Sequence, residues 1–140
     1  MIIIDSSSLS KFANKEQDWE KVERKLADRE VSTLDFAMLE IGNSIWKRVS
    51  KKEIPAENAL SIYKEIVRSI FEDGLVILVP AESALLNDSL ELAIREKITT
   101  YDSAFIELAN KNKCELVTSD GKQRDTSKKR YPSIRVTFIK

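Results

Sequence analysis

Apolar residues recur along the chain in two rhythms. Short apolar runs occupy residues 1–5 (MIIID), 75–80 (LVILVP, stopped by Pro80) and 114–120 (CELVTSD). A weaker run lies at 30–33 (EVST), and an alternating one at 134–140 (IRVTFIK). Such runs predict buried strands, and the alternation predicts an edge strand. Between them apolar positions return at helical spacing, which predicts helices over 16–28, 35–50, 56–72, 81–97 and 101–113. Ser6, Ser7 and Ser8 are suited to cap a short helix beginning near Leu9. Residues 121–133, rich in Lys, Arg, Ser and Thr, predict a mobile loop. Strands alternating with helices predict an α/β fold with a mainly parallel sheet. A chain of 140 residues suits a single domain, 1–140.

Two of the apolar runs end in an acid, Asp5 and Asp120. In an open parallel sheet, ligands lie in the crevice beyond the carboxyl ends of the strands. If the two strands are neighbours, the two carboxylates are close. Asp5 is thus either a helix cap or one of a set of acids. On the helix 35–50, Met38, Leu39, Ile41, Gly42, Ile45, Trp46 and Val49 form an apolar face. Glu40, Asn43, Ser44 and Lys47 form the opposite stripe, which faces either water, as periodicity alone favours, or the same crevice. Phe36 falls outside this division. Asp102, in TTYDSAFIELA, is suited to the first turn of a helix, where a carboxylate satisfies backbone amides and the helix dipole.

Composition narrows the chemistry. There is no histidine, which excludes a Ser–His–Asp triad and zinc sites with imidazole ligands. Three glycines, Gly42, Gly74 and Gly121, cannot write a dinucleotide fingerprint or a P-loop. Carboxylates, hydroxyls, lysines and arginines remain. The lone Cys114 reads as a small apolar residue and cannot form an internal disulfide. No apolar run nears the roughly 18 residues that span a bilayer, and no secretion signal opens the chain. A cytoplasmic location without membrane attachment is expected. Formal net charge is zero but uneven: residues 1–120 carry 16 basic and 22 acidic side chains, residues 121–140 seven basic and one acidic. The basic segment is either a lip for an anionic partner or a solvated surface. Abundant Glu and Lys with little Gln is a bias seen in heat-adapted proteins.

The motif order IIIDSSSL, LEIGNSIWK and TTYDSAFIELANKNKCELVTSD resembles the PIN-domain ribonucleases, in particular the VapC-type toxins of toxin–antitoxin pairs. The similarity covers essentially the whole chain, and the third block is the most specific. It implies a three-layer α/β/α sandwich and a metal-dependent endoribonuclease. It implies that Asp5, Glu40, Asp102 and Asp120 gather Mg2+ or Mn2+, with Asp5 central. Hard divalent ions prefer oxygen ligands and can activate water for in-line attack on a phosphodiester. By the same analogy Ser6, Ser7 and Thr118 orient the carboxylates. Asn43, Lys122 and Arg124 meet the RNA, with Asp125 an additional acid near the mouth. A homodimer and a small antitoxin protein are the implied partners. Trp19, Trp46, Ile62 and Phe71 are read first as core and second as a dimer surface.

The alternative is a non-catalytic PIN-type module that binds RNA or protein. A haloacid-dehalogenase-like phosphatase wants a second Asp where Ser7 stands. A receiver domain wants an acid where strand 75–80 ends in Pro80. Neither pattern is met.

Overall fold

Three isoleucines, Ile2–Ile4, form β1, and all three are buried. The computed structural model describes residues 1–140, apart from the side chain of Asp28. The element order is β1 (Ile2–Ile4), α1 (Ser6–Ala13), α2 (Trp19–Asp28), β2 (Val31–Leu34), α3 (Ala37–Ser50) and α4 (Ala56–Val67). Next come β3 (Ile77–Val79), α5 (Ser83–Glu96), α6 (Thr100–Asn112), β4 (Glu115–Thr118), α7 (Gly121–Arg130) and β5 (Val136–Phe138). A π-helical turn, Arg68–Glu72, extends α4 to the end of the predicted helix 56–72.

The five strands form one parallel sheet in the order β3-β2-β1-β4-β5. Parallel neighbours need crossovers, and the helices supply them. β1, β2 and β4 are buried throughout, so helices cover both sheet faces, as the α/β/α sandwich requires. The outer strands β3 and β5 are partly exposed. Fully burying an Ile or Phe side chain contributes roughly 1.5–3 kcal/mol. Ile3, Ile4, Leu34, Phe105 and Leu116 are all at 0% exposure, and they anchor the strands that set the site.

Register does the placing. Ile4 pairs with Val117, and the Asp5 N–H donates to the Val117 carbonyl at 3.1 Å. Asp5 therefore stands opposite Thr118, and Asp120 lies just beyond. The neighbour relation expected for these two strand ends is present.

Four local expectations are corrected. Residues 121–130 are helix, not loop: Asp120 caps α7, and Gln123, Thr126 and Ser127 bury a polar face. α1 begins at Ser6, and its cap is Asp5 rather than a serine. On α3, Leu39 and Trp46 are 75% and 63% exposed, not core. Glu40 is half-buried and turned to the sheet end, not to water, because its carboxylate accepts a hydrogen bond from Ser6 on α1. Phe36, left unplaced by the periodicity, packs edge-on against Tyr101 and Phe105, at 5.5 and 5.3 Å between centroids. Ile62 and Phe71 pack against the core, and partly buried Trp19 rests on Phe12.

Candidate active site

Four acids reach the carboxyl end of the sheet from four segments. Asp5 follows β1, Glu40 lies on the first turn of α3, Asp102 on the first turn of α6, and Asp120 two residues beyond β4.

Asp5 is fully buried and is both cap and candidate ligand. Its Oδ1 accepts from the Ser8 N–H at 3.0 Å. Its Oδ2 accepts from Thr118 Oγ1 at 2.6 Å and Ser7 Oγ at 2.7 Å. Burial pushes the carboxyl up to about 6, against these hydrogen bonds from Thr118, Ser7 and Ser8. Thr118 Oγ1 also accepts from the Asp120 N–H at 2.9 Å, so one hydroxyl links two of the acids. A further mesh holds α1 to the loop after β4: Ser8 Oγ meets Ser119 Oγ at 2.9 Å, and the Ser119 N–H donates to Ser7 Oγ at 3.1 Å.

Glu40 Oε1 accepts from Ser6 Oγ at 2.8 Å. Ser6 thus serves Glu40, while Ser7 and Thr118 serve Asp5. Burial raises the Glu40 carboxyl, and the charges of Asp102 and Asp5 add to that rise; the Ser6 hydroxyl opposes it. Asp102 is raised first by burial and next by the charge of Asp120, with Gln123 and Lys122 acting against them. The capping role open to Asp102 is filled by Thr99, whose Oγ1 accepts the Asp102 N–H at 3.1 Å. The Thr99 hydroxyl, like Gln123, also acts to lower the Asp102 carboxyl.

Two acids elsewhere are ion-paired, while buried Glu107 only accepts from the Tyr131 hydroxyl at 2.6 Å. Glu115, at the opposite end of β4, meets Lys25 at 3.2 Å and Arg135 at 3.0 Å. Glu96 meets Lys129 at 2.8 Å. Among the described residues, Asp5, Glu40, Asp102 and Asp120 enter no ion pair. Glu40 Oε2, Asp102 Oδ2 and Asp120 Oδ2 accept no hydrogen bond from the described residues. Glu40 and Asp102, each raised further by the charge of neighbouring carboxylates, stand with Asp5 and Asp120 in a crevice where none of the four enters an ion pair among the described residues, and such a site favours a cation.

The donor set is all hard oxygen and suits Mg2+ or Mn2+ rather than a softer ion. Among the described residues, however, no three of His, Cys, Asp or Glu are grouped closely enough to hold one ion together. The acids share the crevice without forming a closed shell.

Asn43 is exposed and lines, with Glu40, Leu39, Trp46, Tyr63 and Tyr101, a groove of about 740 Å3. Lys122 is exposed and acts on Asp102. Arg124 is committed elsewhere: its guanidinium pairs with Asp125 at 2.8 Å and stacks 4.3 Å from the Phe138 ring centre. Asp125 is exposed and tied to that arginine rather than to the four acids. Reading the chain missed Gln123, whose side-chain amide donates to Asp102 Oδ1 at 3.1 Å. The Asp–x–x–Gln spacing from Asp120 to Gln123 signals a helix start there but not the contact with Asp102.

A parallel sheet with unpaired acids at the carboxyl ends of its central strands defines an α/β protein with a cation-favouring crevice. The chain belongs to the PIN-domain family, which matches residues 2–129. It is similar to Ribonuclease VapC3 of Pyrobaculum aerophilum, 28% identical over 120 residues, covering 85% of this chain and 88% of that protein. Among solved structures it resembles Mycobacterium tuberculosis VapC20, a sarcin-ricin loop cleaving toxin. That match has a TM-score of 0.72 and 15% identity, over 96% of this chain and 99% of the other. It also resembles VapBC2 from Rickettsia felis bound to a DNA fragment from their promoter, with a TM-score of 0.64, 14% identity and full coverage of both chains.

Proposed function

We propose that this chain is a divalent-metal-dependent endoribonuclease and the toxin of a toxin–antitoxin pair, acting in the cytoplasm as one PIN domain over residues 1–140. One observation carries the reading: four acids from separate segments reach one sheet end, and none of them enters an ion pair among the described residues. Asp5, Glu40, Asp102 and Asp120 hold the ion, Mg2+ or Mn2+. When bound, it activates water and neutralises charge developing on the scissile phosphate. Thr118, Ser7 and Ser8 fix the rotamer of Asp5, so its orientation is set before substrate arrives. Ser6 aims Glu40 into the crevice. Lys122 meets the RNA backbone and Asn43 the strand beside Glu40, while Arg124 contributes only when it leaves Asp125. Hydrolysis adds water across one P–O bond, and the leaving oxygen takes the proton.

A small antitoxin protein is the expected inhibitor, as in the VapBC complexes that share this fold. The exposed Leu39, Trp46 and Leu60 support a protein partner on that side. Leu86, Leu90 and Ile94, exposed at four-residue spacing on α5, support a homodimer.

The test is incubation of purified protein with total cellular RNA, with Mg2+, with Mn2+ and with excess chelator. Cleavage with either metal, lost in chelator and in Asp5→Asn, is expected. Equal cutting in chelator would remove the mechanism. The second reading, a non-catalytic RNA- or protein-binding module, is favoured by the lack of any three acids grouped around one point. It predicts tight RNA binding with RNA length unchanged over long incubation.

A further inference from the structure

Gln123 stands between two of the four acids. It lies in the first turn of α7 and is 2% exposed. Its backbone N–H donates to Asp120 Oδ1 at 2.9 Å, and its side-chain Nε2 donates to Asp102 Oδ1 at 3.1 Å. One residue thus grips an acid after β4 and an acid on α6.

The local sequence favours a different arrangement. An Asp N-cap with Gln three residues on has the spacing of a capping box, in which the Gln side chain returns to the N–H of the cap residue. Here that N–H, of Asp120, donates to Thr118 Oγ1 instead. Gln123 is released, and its amide crosses to Asp102. Its Oε1 is left buried without a donor, one of three such side-chain atoms among the described residues. An unmet buried acceptor is destabilising. Turning the amide over would set that oxygen against the Asp102 carboxylate. The arrangement is kept at the expense of local satisfaction, a pattern found where a site must be held in place.

We propose that Gln123 is a positioning residue: it holds the Asp102 carboxylate beside Asp120 against their mutual repulsion, so that Asp102 Oδ2 and Asp120 Oδ2 stay available to a divalent cation. This rests on the cation-binding reading of the site. A neutral donor suits the task, since a lysine or arginine in its place would compete with the cation for the same carboxylates.

The test uses the full chain and Mn2+ as probe. Mn2+ affinity is measured by calorimetric titration, and melting is followed in chelator. Gln123→Met keeps the side-chain length, removes the grip on Asp102 and removes the unmet acceptor. Mn2+ binding is expected to weaken 10–100-fold, with the melting temperature in chelator unchanged or higher. A purely structural Gln123 gives the reverse: lower melting and Mn2+ affinity within twofold of wild type. In the wild-type protein, which needs no substitution to fold, the Gln123 side-chain NH2 resonances are expected to move on Mg2+ addition. Resonances that stay in place, or a Met variant that binds Mn2+ as wild type does, overturn this inference alone. A wild-type protein that binds no Mn2+ overturns it together with the cation-binding reading.

Discussion

Replacing Asp5 by Asn removes a charge from the middle of the molecule while preserving most of its contacts. An Asn oxygen still accepts the Ser8 N–H, and the Asn amide can donate to Ser7 or Thr118, whose hydroxyls can rotate. What changes is ionisation. Burial raises the Asp5 carboxyl from 3.8 to about 6. At about 1.4 kcal/mol per pKa unit, the roughly two-unit difference amounts to about 3 kcal/mol. The sign follows from proton binding. The folded state holds this proton more tightly than the unfolded chain, so the stabilisation is full below about pH 3.8. It is lost as pH rises through about 6. At neutral pH the metal-free wild type therefore carries a buried charge that the Asn variant lacks. Urea unfolding of both proteins in chelator, from pH 4.5 to 7.5, measures the difference. The stability of Asp5→Asn relative to wild type is expected to climb by roughly 2 kcal/mol across that range. Curves that stay parallel, or a variant clearly less stable at pH 7.5, would refute the argument and leave Asp5 a helix cap alone.

Mn2+ at about a hundredfold its dissociation constant should stabilise wild type by about 2.7 kcal/mol; calorimetric melting should show that gain largely absent in Asp5→Asn and Asp102→Asn. Thr118→Val removes the donor to Asp5 and the acceptor of the Asp120 N–H; urea unfolding should show a loss of about 1–3 kcal/mol, and RNA cleavage should fall with it. Glu115→Gln strips the partner from Lys25 and Arg135 at the far end of β4; it should lower stability by about 1–2 kcal/mol while leaving the rate of RNA cleavage as in wild type.

The strands were legible because β1 and β4 are continuous apolar runs closed by acids, and a parallel sheet sends such ends to one crevice. That Asp5 and Asp120 stand at neighbouring strand ends followed from that alone. Glu40 was not legible from periodicity. A helical wheel finds an apolar arc but does not say which part a neighbour covers. On α3 the covered part holds Ala37, Ile41 and Ile45, while Leu39 and Trp46 open onto the groove beside Glu40. The resemblance supplied what the wheel did not. α7 was missed because GKQRDTSKKR has no apolar residue to give a period. Its helix is fixed by the Asp120 cap and by Gln123, Thr126 and Ser127, which bury polar side chains where most helices bury apolar ones. The double role of Asp5 was also beyond the sequence, since only the fold shows the same carboxylate capping α1 and facing the other acids.

Anomalous diffraction from crystals grown with Mn2+ tests the central claim most directly. The account predicts a Mn2+ peak at the carboxyl end of β1 and β4, about 2.0–2.6 Å from oxygens contributed by Asp5 and at least two of Glu40, Asp102 and Asp120. A peak elsewhere, or these carboxylates unchanged and without Mn2+ at saturating concentration, would contradict it.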